Sequence, residues 1–181
     1  VLGSGVDDVA FLAAVIEDAA RRFGTRDRAF LTGMSNGAIM AQTFAALRPD
    51  RVAALATVAG TMDTSRLSVP RAIPFLHIHG TADDRVPFAG GRGRGLRTDF
   101  SSVDSVMAAF LAPHGALPAT RVVMNEAAEG SRILRSAWGA GARPLVVLLT
   151  VEGGGHVWFG GRRAEREGAA HDLSASGEVV R

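Results

Sequence analysis

Three residue types that together move acyl groups occur in the order serine, aspartate, histidine, each just after an apolar run. The serine is Ser35, in Gly33-Met34-Ser35-Asn36-Gly37. A hydroxyl is a weak nucleophile at neutral pH and needs an adjacent base. His156 can supply one; it lies in the glycine-rich stretch VEGGGHVWFGG, with three glycines before it and Trp158 after it. An acid to orient the imidazole is offered by HGTADDRVP, His79 to Pro87, where position alone leaves Asp83 and Asp84 as near-equal candidates. Asp63, after another apolar run, is the reserve acid. In this chemistry Ser35 attacks an ester carbonyl while His156 takes its proton. The acid orients the ring and stabilises the imidazolium. His156 then protonates the leaving alcohol, and water releases the acyl group.

Such groups must be held by defined elements. Asp7 or Asp8 can cap a helix in which Val9, Leu12, Ile16, Ala19 and Phe23 recur at helical spacing, with Gly24 to end it. Arg28–Thr32 reads as a short buried strand. A helix follows from Asn36 to Leu47, stopped by Pro49. Val52–Ala59 and Ile73–His79 are further apolar runs, Ala89–Gly95 a loop, Val103–Leu111 a helix, and Leu145–Val151 a fully apolar strand. Strands that are apolar on both faces and alternate with helices predict a mostly parallel sheet covered by helices. Ligand sites in such sheets gather at the carboxyl ends of strands. Ser35 falls at a strand-to-helix turn, where Gly33 and Gly37 would spare the backbone a Cβ clash. The Asn36 N–H, at the start of the helix, points at a developing oxyanion. Met34 beside Ser35 and Trp158 beside His156 are the candidate substrate contacts. No repeat or linker divides residues 1–181, which read as one domain.

Composition narrows the alternatives. The 181 residues are 47% hydrophobic and 21% charged, a globular balance. The sequence pI of about 10.7 suggests nucleic acid at first sight, but the net charge is only +2. There is no Lys, Tyr or Cys. The pI therefore reflects missing buffering groups rather than a positive field, and no nucleic-acid partner is expected. Without cysteine there is no disulfide, thiol nucleophile or thiolate metal site. The longest apolar run is far too short to span a membrane.

Ser, Asp, His is the chain order of α/β-hydrolases. Three motifs together carry a closer resemblance. GMSNGAIMA, HIHGTADDRVPF and EGGGHVWFGG resemble the polyhydroxybutyrate depolymerase and feruloyl-esterase-like group of that superfamily. VDDVAFLAAVIEDAARRFG is similar to the helix before the serine turn in that group, and RPDRVAALATVAGT to the strand after it; the likeness runs from about Gly5 to about Val180. It implies an α/β-hydrolase fold and hydrolysis of carboxylic esters without metal or cofactor. Substrates would be polyhydroxybutyrate-like oligoesters or aryl and feruloyl esters. It also implies Ser35 as nucleophile, His156 as base, Asp83 over Asp84 through the pattern G-T-x-D-x-x-V-P, and Asn36 as a backbone oxyanion donor. Many members of the group are secreted, the one indication of a compartment. The sequence departs from the group at Ala116 and Ala140, where relatives carry cysteines, and at Phe88 and Phe159, where Tyr and Pro are common.

A complete fold of this kind has several strands before the serine. Here one helix precedes it, so the resemblance implies a partial domain lacking the early strands and the loop that gives the second oxyanion donor. Arg28–Thr32 would then be an unpaired sheet edge, open to aggregation or to another chain. HDLSASGEVVR reads as the start of a final helix. A non-catalytic fragment or pseudoenzyme, and a related peptidase or thioesterase, are the alternatives. His77 and His79 form H-x-H on one strand face, without a third metal ligand at clear spacing. GGRGRG is one short arginine–glycine copy and reads as a loop beside the site. Trp138 suits either core packing or an aromatic wall.

Overall fold

The computed structural model describes residues 5–125, 132–141, 143–162 and 173–180. Helix α1, Asp8–Phe23, begins where the Asp7 carboxylate accepts the Ala10 N–H at 2.9 Å. It ends at Gly24, whose φ of 62° is the left-handed conformation that closes helices. Val9, Leu12 and Ile16 form its apolar stripe and pack on the core. Strand β1, Ala29–Met34, leads directly into α2, Asn36–Leu47. A short 3₁₀ turn, Pro49–Arg51, then starts β2, Val52–Val58. β3 is Phe75–Gly80. The two-residue strands β4, Gly91–Arg92, and β5, Asp99–Phe100, form a separate ribbon before α3, Val103–Leu111. β6, Ala119–Asn125, β7, Ile133–Trp138, and β8, Val146–Val151, follow, and α4, Ala175–Val179, comes last.

Six strands make one sheet in the order β1-β2-β3-β8-β7-β6. The first four are parallel, and β7 and β6 join antiparallel. This is the expected α/β-hydrolase-type architecture, a mostly parallel sheet with flanking helices. Alternation along the strands divides the core in two. Leu55, Phe75, Val146 and Leu148 face α1, α2 and α3, where Phe110 stacks on Phe75 with ring centroids 4.0 Å apart. Val58, Ile78, Leu149 and Val151 face the C-terminal segment, through Val157, Phe159, Leu173 and Ala175. Truncating a buried ring such as Phe44 or Phe110 would cost about 3–5 kcal/mol.

The structure corrects the sequence reading in three places. β6 and β7 were not expected: ATRVVMN and ILRSAW place arginines and small residues inside short, partly exposed strands, so no apolar run marks them. Ala89–Gly95, expected to be a loop, contains β4. β1 runs two residues further than Arg28–Thr32, right up to Ser35. Among the described residues β1 pairs only with β2 and forms the sheet edge. Residues 171, 172 and 181 of the expected final helix lie outside the described residues; within them, Ser174 caps α4 by accepting the Gly177 N–H.

Candidate active site

Ser35 sits between β1 and α2 with φ 55° and ψ −121°. A non-glycine residue held there costs about 1–3 kcal/mol, which the surrounding ladder must offset. The Ser35 N–H continues that ladder to Val58 O at 2.9 Å, and its carbonyl accepts the Ile39 N–H at 3.0 Å, starting α2. The turn requires Gly33, because a Cβ there would lie 2.5 Å from the Gly37 carbonyl carbon. A Cβ on Gly37 would meet nothing within 4 Å, so the expected steric need for glycine at that position is not found. Asn36 opens α2 with its side chain exposed. Its N–H belongs to the first turn, where helix donors have no intrahelical acceptor.

The loops after β3 and β8 carry the other two groups, and the backbone joins them. Ala82 N–H bonds Gly154 O at 2.9 Å, Thr81 N–H bonds Val151 O at 2.9 Å, and the Thr81 hydroxyl accepts the Gly153 N–H at 2.8 Å. Gly80 lies so close to Gly154 that a Cβ would stand 2.1 Å from its carbonyl oxygen. The two loops are therefore held together by hydrogen bonds and close backbone packing. His156 Nδ1 lies 2.8 Å from Asp83 Oδ2, and Nε2 lies 2.9 Å from Ser35 Oγ. A carboxylate only accepts, so Nδ1 carries the proton, and Nε2 is left to accept from the Ser35 hydroxyl.

Asp83 is buried. Its second oxygen, Oδ1, accepts the Arg85 and Val86 N–H groups, each at 2.9 Å. Burial pushes its carboxyl up, but hydrogen bonds from His156, His79 and the Val86 N–H outweigh this and hold it well below the usual carboxylate range. The group is thus an anion throughout the neutral range, as an orienting acid must be.

The remaining candidates lie elsewhere. Asp84 is half exposed and pairs with Arg94 at 2.6 Å. Asp63 is exposed, turned toward Ser65 and Arg66, and its carboxyl is lowered chiefly by the Ser65 hydroxyl. Met34 and Trp158 lean on the second core cluster, and the Trp158 indole N–H bonds the Ser176 hydroxyl at 3.1 Å. Trp138 packs against the first cluster. In the GGRGRG segment Arg92 pairs with Asp99 and Arg94 with Asp84. Both rings of H-x-H are fully buried with protein partners at every nitrogen. Among the described residues no group of three or more His, Asp or Glu could hold a metal. Sequence reading missed Gln42 and Thr57, buried polar residues behind the site; the signal was a glutamine inside a helix otherwise apolar on nearly every face. A cavity of about 790 Å³ lies at the other end of the sheet, lined by Phe30, Ala56, Leu76 and Val147, and none of Ser35, Asp83 or His156 reaches it.

No family model matches the chain. In sequence it is 33% identical over 172 residues to NocK of Nocardia uniformis subsp. tsuyamanensis, a protein named as an esterase; the match takes in 85% of this chain and 49% of NocK. The chain thus spans about half the length of this curated relative. In structure it is similar to an acetyl xylan esterase from Aspergillus awamori, with a TM-score of 0.54 and 15% identity over 82% of this chain and 62% of that one. At that identity the likeness concerns the fold, which is of the α/β-hydrolase type.

Proposed function

We propose that the chain carries the catalytic triad of a serine ester hydrolase. One observation carries the reading: a continuous hydrogen-bonded line from Ser35 Oγ through both nitrogens of His156 to a buried, ionised Asp83. In this reading Ser35 attacks the ester carbonyl as its proton passes to His156 Nε2. Asp83 holds the ring in the required tautomer and stabilises the imidazolium. The tetrahedral oxyanion forms over the start of α2, where the Asn36 N–H and the helix dipole meet it. The imidazolium then protonates the leaving alkoxide, giving an acyl-Ser35 that water cleaves by the same steps in reverse order. No step calls for a metal or a cofactor.

The similarity to NocK supports ester substrates. Within that class, the motif resemblance favours polyhydroxybutyrate-like oligoesters or aryl and feruloyl esters, with Met34 and Trp158 as proposed substrate contacts. A fluorophosphonate probe should label the protein, and Ser35→Ala should abolish the labelling. Turnover of a p-nitrophenyl ester series should exceed that of matched amides and thioesters. Labelling that persists in Ser35→Ala, or none in the wild type, overturns the proposal.

A further inference from the structure

A line of buried polar groups runs behind the site, and the reaction above does not use it. Gln42 of α2, Thr57 of β2, and His77 and His79 of β3 are each 0% exposed. Groups buried this deeply must be hydrogen-bonded. Gln42 Nε2 lies 2.9 Å from Gly60 O and 3.0 Å from Thr57 Oγ1, and its Oε1 accepts the Met62 N–H at 2.8 Å. Thr57 Oγ1 is 2.8 Å from His77 Nδ1, and His77 Nε2 is 3.0 Å from His79 Nδ1. His79 Nε2 is 2.9 Å from Val86 O and 3.4 Å from Asp83 Oδ2.

The proton positions follow from the two ends. The Met62 N–H can only donate and the Gly60 carbonyl can only accept, which fixes the Gln42 amide. Its Nε2 therefore donates to Thr57 Oγ1, which keeps its own proton and a second lone pair for His77. The other end decides between them. Val86 O accepts only, so a neutral His79 carries its proton on Nε2 and accepts at Nδ1. A neutral His77 then carries its proton on Nε2, and the Thr57 hydroxyl donates to His77 Nδ1. Every donor in the line has one acceptor when both imidazoles are neutral. Burial, then the neighbouring His79, pushes the His77 imidazole well below its ordinary range, in agreement with this state.

We propose that His79 is a positioning residue for Asp83, and that the Gln42–Thr57–His77 line exists to fix its tautomer. This rests on the triad reading above. Val86 is the link: its N–H holds Asp83 Oδ1 while its carbonyl is held by His79. The His79 N–H also faces the Asp83 oxygen that bonds His156. Phe88 closes the remaining side, edge-on to the His79 ring at a centroid distance of 5.8 Å. The groups facing His79 are therefore His77, Asp83, Val86 and Phe88. One line of hydrogen bonds ties the helix behind the nucleophile to the turn that carries the acid.

The test has two independent arms. Long-range proton–nitrogen NMR on the wild-type protein at pH 8 should find the neutral His77 and His79 rings both protonated at Nε2. A proton on Nδ1 of either neutral ring overturns the inference. This arm needs no activity, so a failure of Ser35 labelling would remove the esterase reading and leave the line to be decided separately. The second arm is kinetic. His79→Leu should lower kcat about tenfold or more with KM within about twofold. His79→Gln, which can place an amide N–H near Val86 O, should recover most of kcat. An unchanged kcat in His79→Leu, a loss carried by KM alone, or no recovery in a folded His79→Gln overturns the positioning role.

Discussion

Ser35 Oγ lies 2.9 Å from His156 Nε2 although 121 residues separate them in the chain. A pair that acts as one unit has non-additive effects. Ser35→Ala and His156→Ala should each lower kcat by roughly 10⁵–10⁶, and the double variant should be no slower than either alone. Ester turnover of the three variants beside the wild type checks this; losses that multiply would show that the two side chains work in separate steps.

Asp83 and Asp84 are adjacent in sequence and unlike in surroundings. Asp83 accepts from His156 and two backbone N–H groups in a buried turn, whereas Asp84 meets Arg94 at the surface. An asparagine at position 83 can present an N–H to His156 Nδ1 and so favour the wrong tautomer. Asp83→Asn should cost roughly 10³–10⁴ in kcat. Asp84→Asn loses an exposed ion pair, worth at most about 1 kcal/mol, and should keep near wild-type turnover. Comparable losses in the two variants would assign Asp83 no special role.

The two glycines around Ser35 separate in the same way. Gly33 faces the Gly37 carbonyl with no space for a methyl group, while Gly37 is exposed and helical. Gly33→Ala should destabilise the protein by several kcal/mol or prevent folding. Gly37→Ala should be neutral or stabilising by up to about 1 kcal/mol, the helix preference of alanine over glycine. Urea unfolding of both variants decides it, and a destabilised Gly37→Ala would mean that the elbow needs both glycines.

Those contrasts explain what was legible in the sequence. The Ser35 turn, α1, α2, α3 and the parallel strands announce themselves through caps, helical spacing and continuous apolar runs, because each sets apolar side chains against the core. β6 and β7 do not: Arg121 and Arg135 interrupt them, none of Ala119–Met124 is buried, and half of β7 is not in the core. Position could not separate Asp83 from Asp84, since both follow β3; what separates them is which carboxylate the Val86 N–H and His156 reach. H-x-H was read correctly as a same-face pair, but sequence carried no sign of Thr57, twenty residues from His77, or of the hydrogen bonds that occupy both rings. Long-range partners of buried polar residues leave no periodic trace.

His77 gives stability a pH dependence. In the unfolded chain an imidazole takes a proton below about pH 6.5, whereas the folded environment refuses it until well below that value, first through burial and then through His79. Below pH 6.5 the unfolded state therefore binds more protons. The contribution is fully present above that pH and is lost as the pH falls, at about 1.4 kcal/mol per unit. Asp83 acts in the same direction in a lower window, from about pH 4 downward, because its folded carboxyl is depressed. Urea unfolding between pH 7.5 and 5 should show the His77 slope in the wild type and its loss in His77→Gln. Equal slopes would mean that His77 titrates normally in the fold.

The edge strand offers a last contrast, between solubility and chemistry. Phe30 of β1 is 83% exposed, and it borders the 790 Å³ cavity, which none of Ser35, Asp83 or His156 reaches. Apolar side chains on an unpaired edge invite strand-to-strand association, and a lysine there opposes it. Phe30 lies in the first half of β1, away from Ser35 at its carboxyl end. Phe30→Lys should therefore reduce concentration-dependent light scattering and binding of an apolar dye, change stability by no more than about 0.5 kcal/mol, and leave the rate of Ser35 labelling unchanged. Scattering and dye binding equal to wild type would show that this edge is already covered in solution, and slower labelling would show that the edge and the elbow are coupled along the strand.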